Sequence, residues 1–356
     1  MPPFTLPAKA SICLLRLSAL GDVTHMLPVL HTLQKCHPQS RITWIIGKTE
    51  YQLVEGLAGV EFIIFDKSQG ASGLARLRQQ LRARQFDVLL HMQAALRASL
   101  ISLFVPATHK VGFDRARAAD FQWLFTHARI PARPRQHVLD GFFGFLEAIG
   151  IEERHMRWSP PIPDDAHAFA RPLKPSSSRC LVINPSSSVR KNNFRNWRAE
   201  RYAEIADYAA ELHGMRVILT GGPSDAERDL SQHILRLSQG DHLDLTGKTS
   251  IKQMLAVLSM ADLVIAPDTG PAHMATAVGT PVIGLYVTSN PYRTGPYNDL
   301  DAVVNAYPRA VDRAFGKSVD EITWGKRVRD PDAVDLITVD AVKHQLDHCV
   351  TQLNRD

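Results

Sequence analysis

Two stretches of this chain hold side chains of the type and spacing that acid–base and phosphate chemistry require. In RLSALGDVTHMLPVL (16–30) an apolar run gives way to a small-residue turn, and Asp22 stands where an amphipathic helix begins. Val23, Met26, Leu27, Leu30 and Leu33 mark that helix's apolar face. An aspartate there is either an N-cap, accepting from free helix amides, or an ionised and positioned carboxylate able to remove a proton. In ADLVIAPDTGPAHMATAVG (261–279) a strand ends at Pro267, Asp268-Thr269-Gly270 turns, and a helix opens with Pro271. Proline loses nothing at the start of a helix, where its missing N–H would have no partner. Free amides and the positive end of the helix dipole make such a junction an anion site suited to a diphosphate, with Thr269 and His273 in reach. The competing account is that Asp268 or Thr269 only caps the helix.

Two further junctions carry weaker signals. In MRVILTGGPSDAERDL (215–230), Gly221-Gly222 lets the backbone approach a ligand, and Asp225 and Glu227 offer carboxylates to ribose hydroxyls. In LVINPSSSVRKNNFRNWRAERY (181–202) three serines and the cations Arg190, Lys191 and Arg195 follow an apolar strand, a set fit to stabilise a departing diphosphate. Each also reads as an ordinary turn or a solvated loop.

All four junctions follow strands, so the elements around them decide what they do. SICLLRL, RITWIIG, VEFIIF and FDVLLHM read as strands, with helices over Asp22–Cys36, roughly Ser72–Arg84, about Ala94–Phe104 and 137–150. WSPPIPDDAHAFARPLKPSSSR (158–179) has linker composition, and after it strands and helices alternate again. The alternation implies parallel sheets, and 356 residues favour two domains. The expected organisation is α/β: a Rossmann-like domain over 1–160, a linker at 161–178, a second Rossmann-like domain over 179–335, and a C-terminal helix (336–356) packing back on the first domain. In open α/β sheets ligands bind beyond the carboxyl ends of strands, which is where the four junctions lie. Asp330-Pro-Asp332 follows no strand and reads as a turn.

Composition narrows the class. The formal net charge of +5 favours anionic partners such as phosphorylated lipid, nucleotide or nucleic acid. Cys13, Cys36, Cys180 and Cys349 form no CxxC pair, as expected of a reduced cytoplasmic protein. Neither a signal peptide nor an apolar run long enough to span a bilayer is evident, so any membrane association is expected to be peripheral. No GxGxxG follows a strand, which argues against a dinucleotide-dependent oxidoreductase.

Taken together, RLSALGDVTHMLPVL, FDVLLHMQAALRASLISLF, KVGFDRARAADFQWLFTHARIP, HVLDGFFGFLEAIG and PDTGPAHMATAVGTPVIGLYVTSNPYRTGPY resemble, in order, the segments of glycosyltransferase family 9, the ADP-heptose:lipopolysaccharide heptosyltransferases. The resemblance runs from about residue 11 to 300. It implies a GT-B fold, with two Rossmann-like domains facing across a cleft, and an inverting reaction needing neither metal nor cofactor. It implies Asp22 as general base, and Asp268, Thr269, Gly270 and His273 holding the donor's diphosphate and sugar. Ser186 and Ser187 match donor-phosphate contacts, and Glu227, or Asp225, matches an acidic residue near the ribose. This chain departs from the pattern where a lysine usually precedes Trp-Pro: FRNWRAE has Arg195 and no proline, leaving Arg195 or Lys191 for the leaving diphosphate. His91 stands where an acidic residue is frequent.

What the resemblance implies is heptose transfer from an ADP-sugar donor, ADP-heptose, to a Kdo–lipid A acceptor at an anionic inner-membrane surface on the cytoplasmic side, with no nucleic acid involved. Arg97, Arg115 and Arg117 are then candidates to pair with acceptor carboxylates and phosphates. The alternatives are the same fold using another nucleotide sugar, or a non-catalytic nucleotide-sugar binder.

Overall fold

Six parallel strands form the first sheet of the computed structural model, which describes residues 4–175, 178–187 and 193–355. They are β1 (Ser11–Leu15), β2 (Arg41–Gly47), β3 (Glu61–Phe65), β4 (Phe86–His91), β5 (Ala107–Gly112) and β6 (Ala128–Arg129), in the order β3-β2-β1-β4-β5-β6. β1, β2 and β4 are nearly continuous apolar runs because helices cover both faces of a parallel sheet. The chain builds outward from β1 to β3, then returns to lay β4 on the other side of β1. That reversal opens a crevice beyond the carboxyl ends of β1 and β4, the switch point at which such sheets bind ligands.

The second sheet repeats the plan. β7 (Cys180–Ile183), β8 (Arg216–Leu219), β9 (Leu243–Asp244), β10 (Leu263–Pro267), β11 (Val282–Tyr286) and β12 (Val304–Asn305) are parallel, in the order β12-β11-β10-β7-β8-β9. Its switch point lies between β7 and β10. The chain divides into two compact units, Met1–Pro161 and Ile162–Asp356. Cys13 and Cys180 are buried strand residues whose thiols burial pushes up, Cys180 to about 12.

Three expectations change. Asp164–Ala170, within the expected linker, is helical and packs on the Ile251–Met260 helix. Pro163 caps it, Asp164 and Asp165 face its positive end, and Ala166 and Ala170 bury one side. The C-terminal helix Val339–Leu353 packs on the Ala199–His213 helix, its Val342, Leu346, Cys349 and Val350 joining the second unit's core. Its apolar face is therefore used within the second unit. β5 was not expected as a strand, because its ATHKVG sequence buries only Val111 and Gly112. At Asp330-Pro-Asp332, read as a turn from the sequence, Asp330 caps a short 3-10 helix, Pro331–Leu336, accepting from the Asp332 amide at 2.9 Å.

Candidate functional site

At the first switch point, the β1 turn delivers Asp22 into the opening turn of the Leu20–Cys36 helix. Ala19, not Asp22, is the N-cap; the Asp22 carboxylate reaches back to the Ala19 amide at 3.3 Å. Asp22 also forms an ion pair with the Arg16 guanidinium, and its side chain is 30% exposed against 11% for Arg16. Arg16 is itself anchored: it donates to the Met92 carbonyl at 2.6 Å beyond β4 and lies 5.0 Å from the Phe142 ring centre. Gln93, just past β4, accepts from the Leu17 amide at 2.7 Å and donates to the Ser18 hydroxyl at 3.2 Å. Burying a cation costs several kcal/mol unless it is paired, an outlay that a helix cap alone does not call for. The arrangement is an oriented carboxylate, open to solvent on one side, at the kind of strand-order reversal where open α/β sheets bind ligands. His91 beneath it is buried, its Nε2 3.3 Å from the Ser99 hydroxyl, and burial pushes its pKa down to about 3. It is a neutral packing group in the position where an acidic residue would have lain.

At the second switch point the turn after β10 is held from both sides. Arg195 donates to the Asp268 carbonyl at 2.7 Å and stands 3.4 Å from its carboxylate. The Ser289 hydroxyl, after β11, donates to the same carboxylate at 2.7 Å. Thr269 is the N-cap residue of the Gly270–Val278 helix, yet its side chain makes no cap hydrogen bond. Among the described residues its buried Oγ1 has no partner. Two more buried polar atoms in this region share that condition, Asn184 Oδ1 beyond β7 and Asn290 Nδ2 beyond β11. A buried polar atom without a partner costs about 1–3 kcal/mol. A buried hydroxyl of this kind at a helix start, beside a cation, is one that a polar, anionic ligand can satisfy.

The family model for glycosyltransferase family 9 (heptosyltransferase) matches residues 74–321. A lipopolysaccharide core heptosyltransferase, OpsX of Haemophilus influenzae, is 41% identical over 346 residues, covering 97% of this chain and 98% of its own. The chain belongs to glycosyltransferase family 9. It is a glycosyltransferase. Among solved structures, a family 9 glycosyltransferase from Veillonella parvula superposes with a TM-score of 0.79 at 22% identity, covering 96% of this chain and 97% of that one. The Escherichia coli heptosyltransferase WaaC, solved with ADP, gives 0.72 at 19% identity, covering 95% and 99%. The two six-stranded parallel sheets are those of the GT-B fold.

The other expected site residues of this family 9 chain divide into engaged and open groups. Glu227 accepts from the Gly222 amide at 3.0 Å, the Ser186 hydroxyl at 3.1 Å and the Ser224 hydroxyl at 2.6 Å, tying the turns after β7 and β8 together. A side chain on Gly222 would place its Cβ 2.7 Å from Glu227 Oε2, so a larger residue there would have to displace the Glu227 carboxylate. Ser187 gives both its amide and its hydroxyl to Asn196, at 2.8 and 3.1 Å. Asp225 is fully at the surface, paired with Arg228 at 2.8 Å, away from these turns' shared bonds. Lys191 and Arg190 lie outside the described residues. His273 is buried in the first turn of the Gly270–Val278 helix.

In the first unit Arg97 and Arg115 are exposed, Arg115 lying 6.0 Å from the Trp123 ring centre. Arg117 is committed within the protein, to Asp114, to Gln136 Oε1 at 2.7 Å and to the Pro131 carbonyl at 2.8 Å. It braces the loop and is not an open cation for an acceptor. Sequence reasoning passed over Arg16, Gln93, Asn184, Ser289 and Asn290. Each lies past the carboxyl end of a strand: Arg16, Gln93 and Asn184 after strands that flank a switch point, Ser289 and Asn290 after β11, the neighbour of β10.

Proposed function

We propose that this glycosyltransferase transfers heptose from ADP-heptose to the Kdo–lipid A inner core of lipopolysaccharide, with inversion, at the cytoplasmic face of the inner membrane. The observation that carries the reading is the second switch point: Arg195 holds the Asp268 turn, and the adjoining N-cap residue Thr269 makes no cap hydrogen bond and has no partner for its buried Oγ1 among the described residues. The similarity to OpsX along both chains supports heptose as the sugar.

In the reaction, Asp22 takes the proton from the acceptor hydroxyl as that oxygen attacks the anomeric carbon opposite the departing ADP. The Arg16 ion pair fixes the direction of the carboxylate. Negative charge gathers on the diphosphate as the glycosidic bond breaks. The free amides of the Gly270–Val278 helix, the Thr269 hydroxyl and Arg195 stabilise that charge, with His273 beside the sugar. Glu227 holds the turns that border the nucleoside, and Arg97 and Arg115 meet anionic groups of the acceptor. Among the described residues no helix is long and apolar enough to cross a membrane, so the enzyme meets its lipid-linked acceptor from one side.

The test is release of ADP, UDP or GDP from a panel of nucleotide sugars given a deacylated Kdo–lipid A acceptor. Release from ADP-heptose in preference to the others is expected. Turnover confined to UDP- or GDP-sugars would remove the heptose assignment and leave a family 9 enzyme with another donor.

A further inference from the structure

The first unit carries apolar side chains turned toward solvent in a pattern that packing does not explain. In the helix Leu96–Ser102, Ala98, Ser99, Ile101 and Ser102 face inward. Leu96, Leu100 and the following Leu103, one stripe at helical spacing, are 52%, 44% and 59% exposed. The backbone amide of Leu96 donates to Asp120 Oδ2 at 3.1 Å, which joins this helix to the 120–124 turn. There Gln122 is buried, donating to the His91 carbonyl at 2.8 Å and accepting from the Phe113 amide at 3.1 Å. With Gln122 fixed inward, its neighbours Phe121, Trp123 and Leu124 are displayed outward, Phe121 at 65% and Leu124 at 64% exposure. Phe121 and Asp120 both have φ above +50°, a left-handed backbone that a bulky residue rarely adopts. Strain of that kind persists where surrounding bonds impose it, as Gln122 does here.

Charge accompanies the apolar surface. Between Met92 and Gln136 the sequence has seven arginines and lysines against two aspartates, a net +5 equal to that of the whole chain. Arg97 sits in the leucine helix and Arg115 lies against Trp123. Leucine, phenylalanine and tryptophan rimmed by arginine form the combination that enters the boundary of an anionic bilayer, each apolar group buried among acyl chains and each cation among phosphates.

We infer that the leucine stripe 96/100/103 and the 121–124 turn form the face by which this enzyme docks on an anionic lipid bilayer. The inference rests on the reading of a membrane-borne acceptor and deepens it by naming the surface.

The experiment is co-sedimentation of the full chain with vesicles of phosphatidylethanolamine containing phosphatidylglycerol, against vesicles of phosphatidylcholine alone. Binding to the anionic vesicles that weakens with salt is expected. The triple variant Leu100→Ser, Phe121→Ser, Leu124→Ser should lose it by roughly tenfold or more, the scale of withdrawing several large apolar groups from lipid. All three side chains are exposed, and an unchanged thermal transition confirms that the variant folds. In the native chain, brominated acyl chains should quench tryptophan emission, and Trp123→Phe should remove most of that quenching.

Binding that survives the triple substitution, or no binding of the native chain to anionic vesicles at low salt, would overturn the inference. So would a native dimer that the triple variant turns into a monomer, since the face would then join two copies. Turnover on the deacylated acceptor needs no bilayer, and the triple variant should keep it. Failure of ADP-heptose turnover with vesicle binding intact would sink the proposed reaction and leave the docking face standing.

Discussion

Thr269 separates a structural from a ligand-binding role more cleanly than any other residue near the donor site. Among the described residues its buried hydroxyl has no partner, so removing the hydroxyl alone breaks no bond in the folded protein. Thr269→Val, which keeps the shape and removes only the hydroxyl, should leave stability unchanged or raise it by up to about 1 kcal/mol, while ADP-heptose binding weakens by roughly 5- to 20-fold, the worth of one hydrogen bond to a charged group. Thermal unfolding and calorimetric titration of the same variant check both halves; a destabilised variant with normal affinity would return Thr269 to a packing role. Asp22 and Asp268 were legible in the sequence because a carboxylate at a strand-to-helix junction is a local pattern. Their partners were not. Arg16 reads as the tail of an apolar strand, and Ser289 meets Asp268 only because β10 and β11 are neighbours, a fact of topology. Of the two cations left open for the leaving group, Arg195 is the one brought to the Asp268 turn; Lys191 lies outside the described residues.

Among the elements, the strands that decide function were the most legible, because the central strands of a parallel sheet are buried on both faces and read as unbroken apolar runs. β1, β4, β7 and β10, which flank the two switch points, are of this kind. β5, β6, β9 and β12 were harder to read because they are short or partly exposed. The strand order itself is absent from any local pattern, and with it the reason that Asp22, after β1, and Thr269, after β10, each lie beside the switch point of a sheet. One connection carries a measurable pH dependence. Asp299, after β11, is partly buried beside Asp301, and burial raises its carboxyl to about 7. In the unfolded chain an aspartate ionises near its ordinary value, roughly 3.9. Between those values the folded protein holds a proton that the unfolded chain has released, so stability falls as pH rises from about 4 to about 7. Asp299→Asn removes that loss. It should match the native protein near pH 4 and exceed it at pH 8 by about 1–3 kcal/mol, visible as several degrees in Tm. Equal Tm values at pH 8 would show that the carboxylate ionises there without cost.

For the whole molecule, the division of labour follows the two units. In the proposed reaction the first supplies the carboxylate and the second the anion site. On that reading turnover needs residues more than two hundred positions apart, while donor binding needs only the second set. That asymmetry makes Asp22→Asn the most direct test. The asparagine keeps the size and can still accept from the Ala19 amide, but it cannot take a proton. The measurement is kcat for ADP release from ADP-heptose with deacylated Kdo–lipid A, alongside the Kd for the donor. The prediction is a loss in kcat of about 100-fold or more, the usual scale for removing a general base, with donor Kd nearly unchanged. An asparagine variant turning over at close to the native rate would contradict the account and leave Asp22 as a structural partner of Arg16.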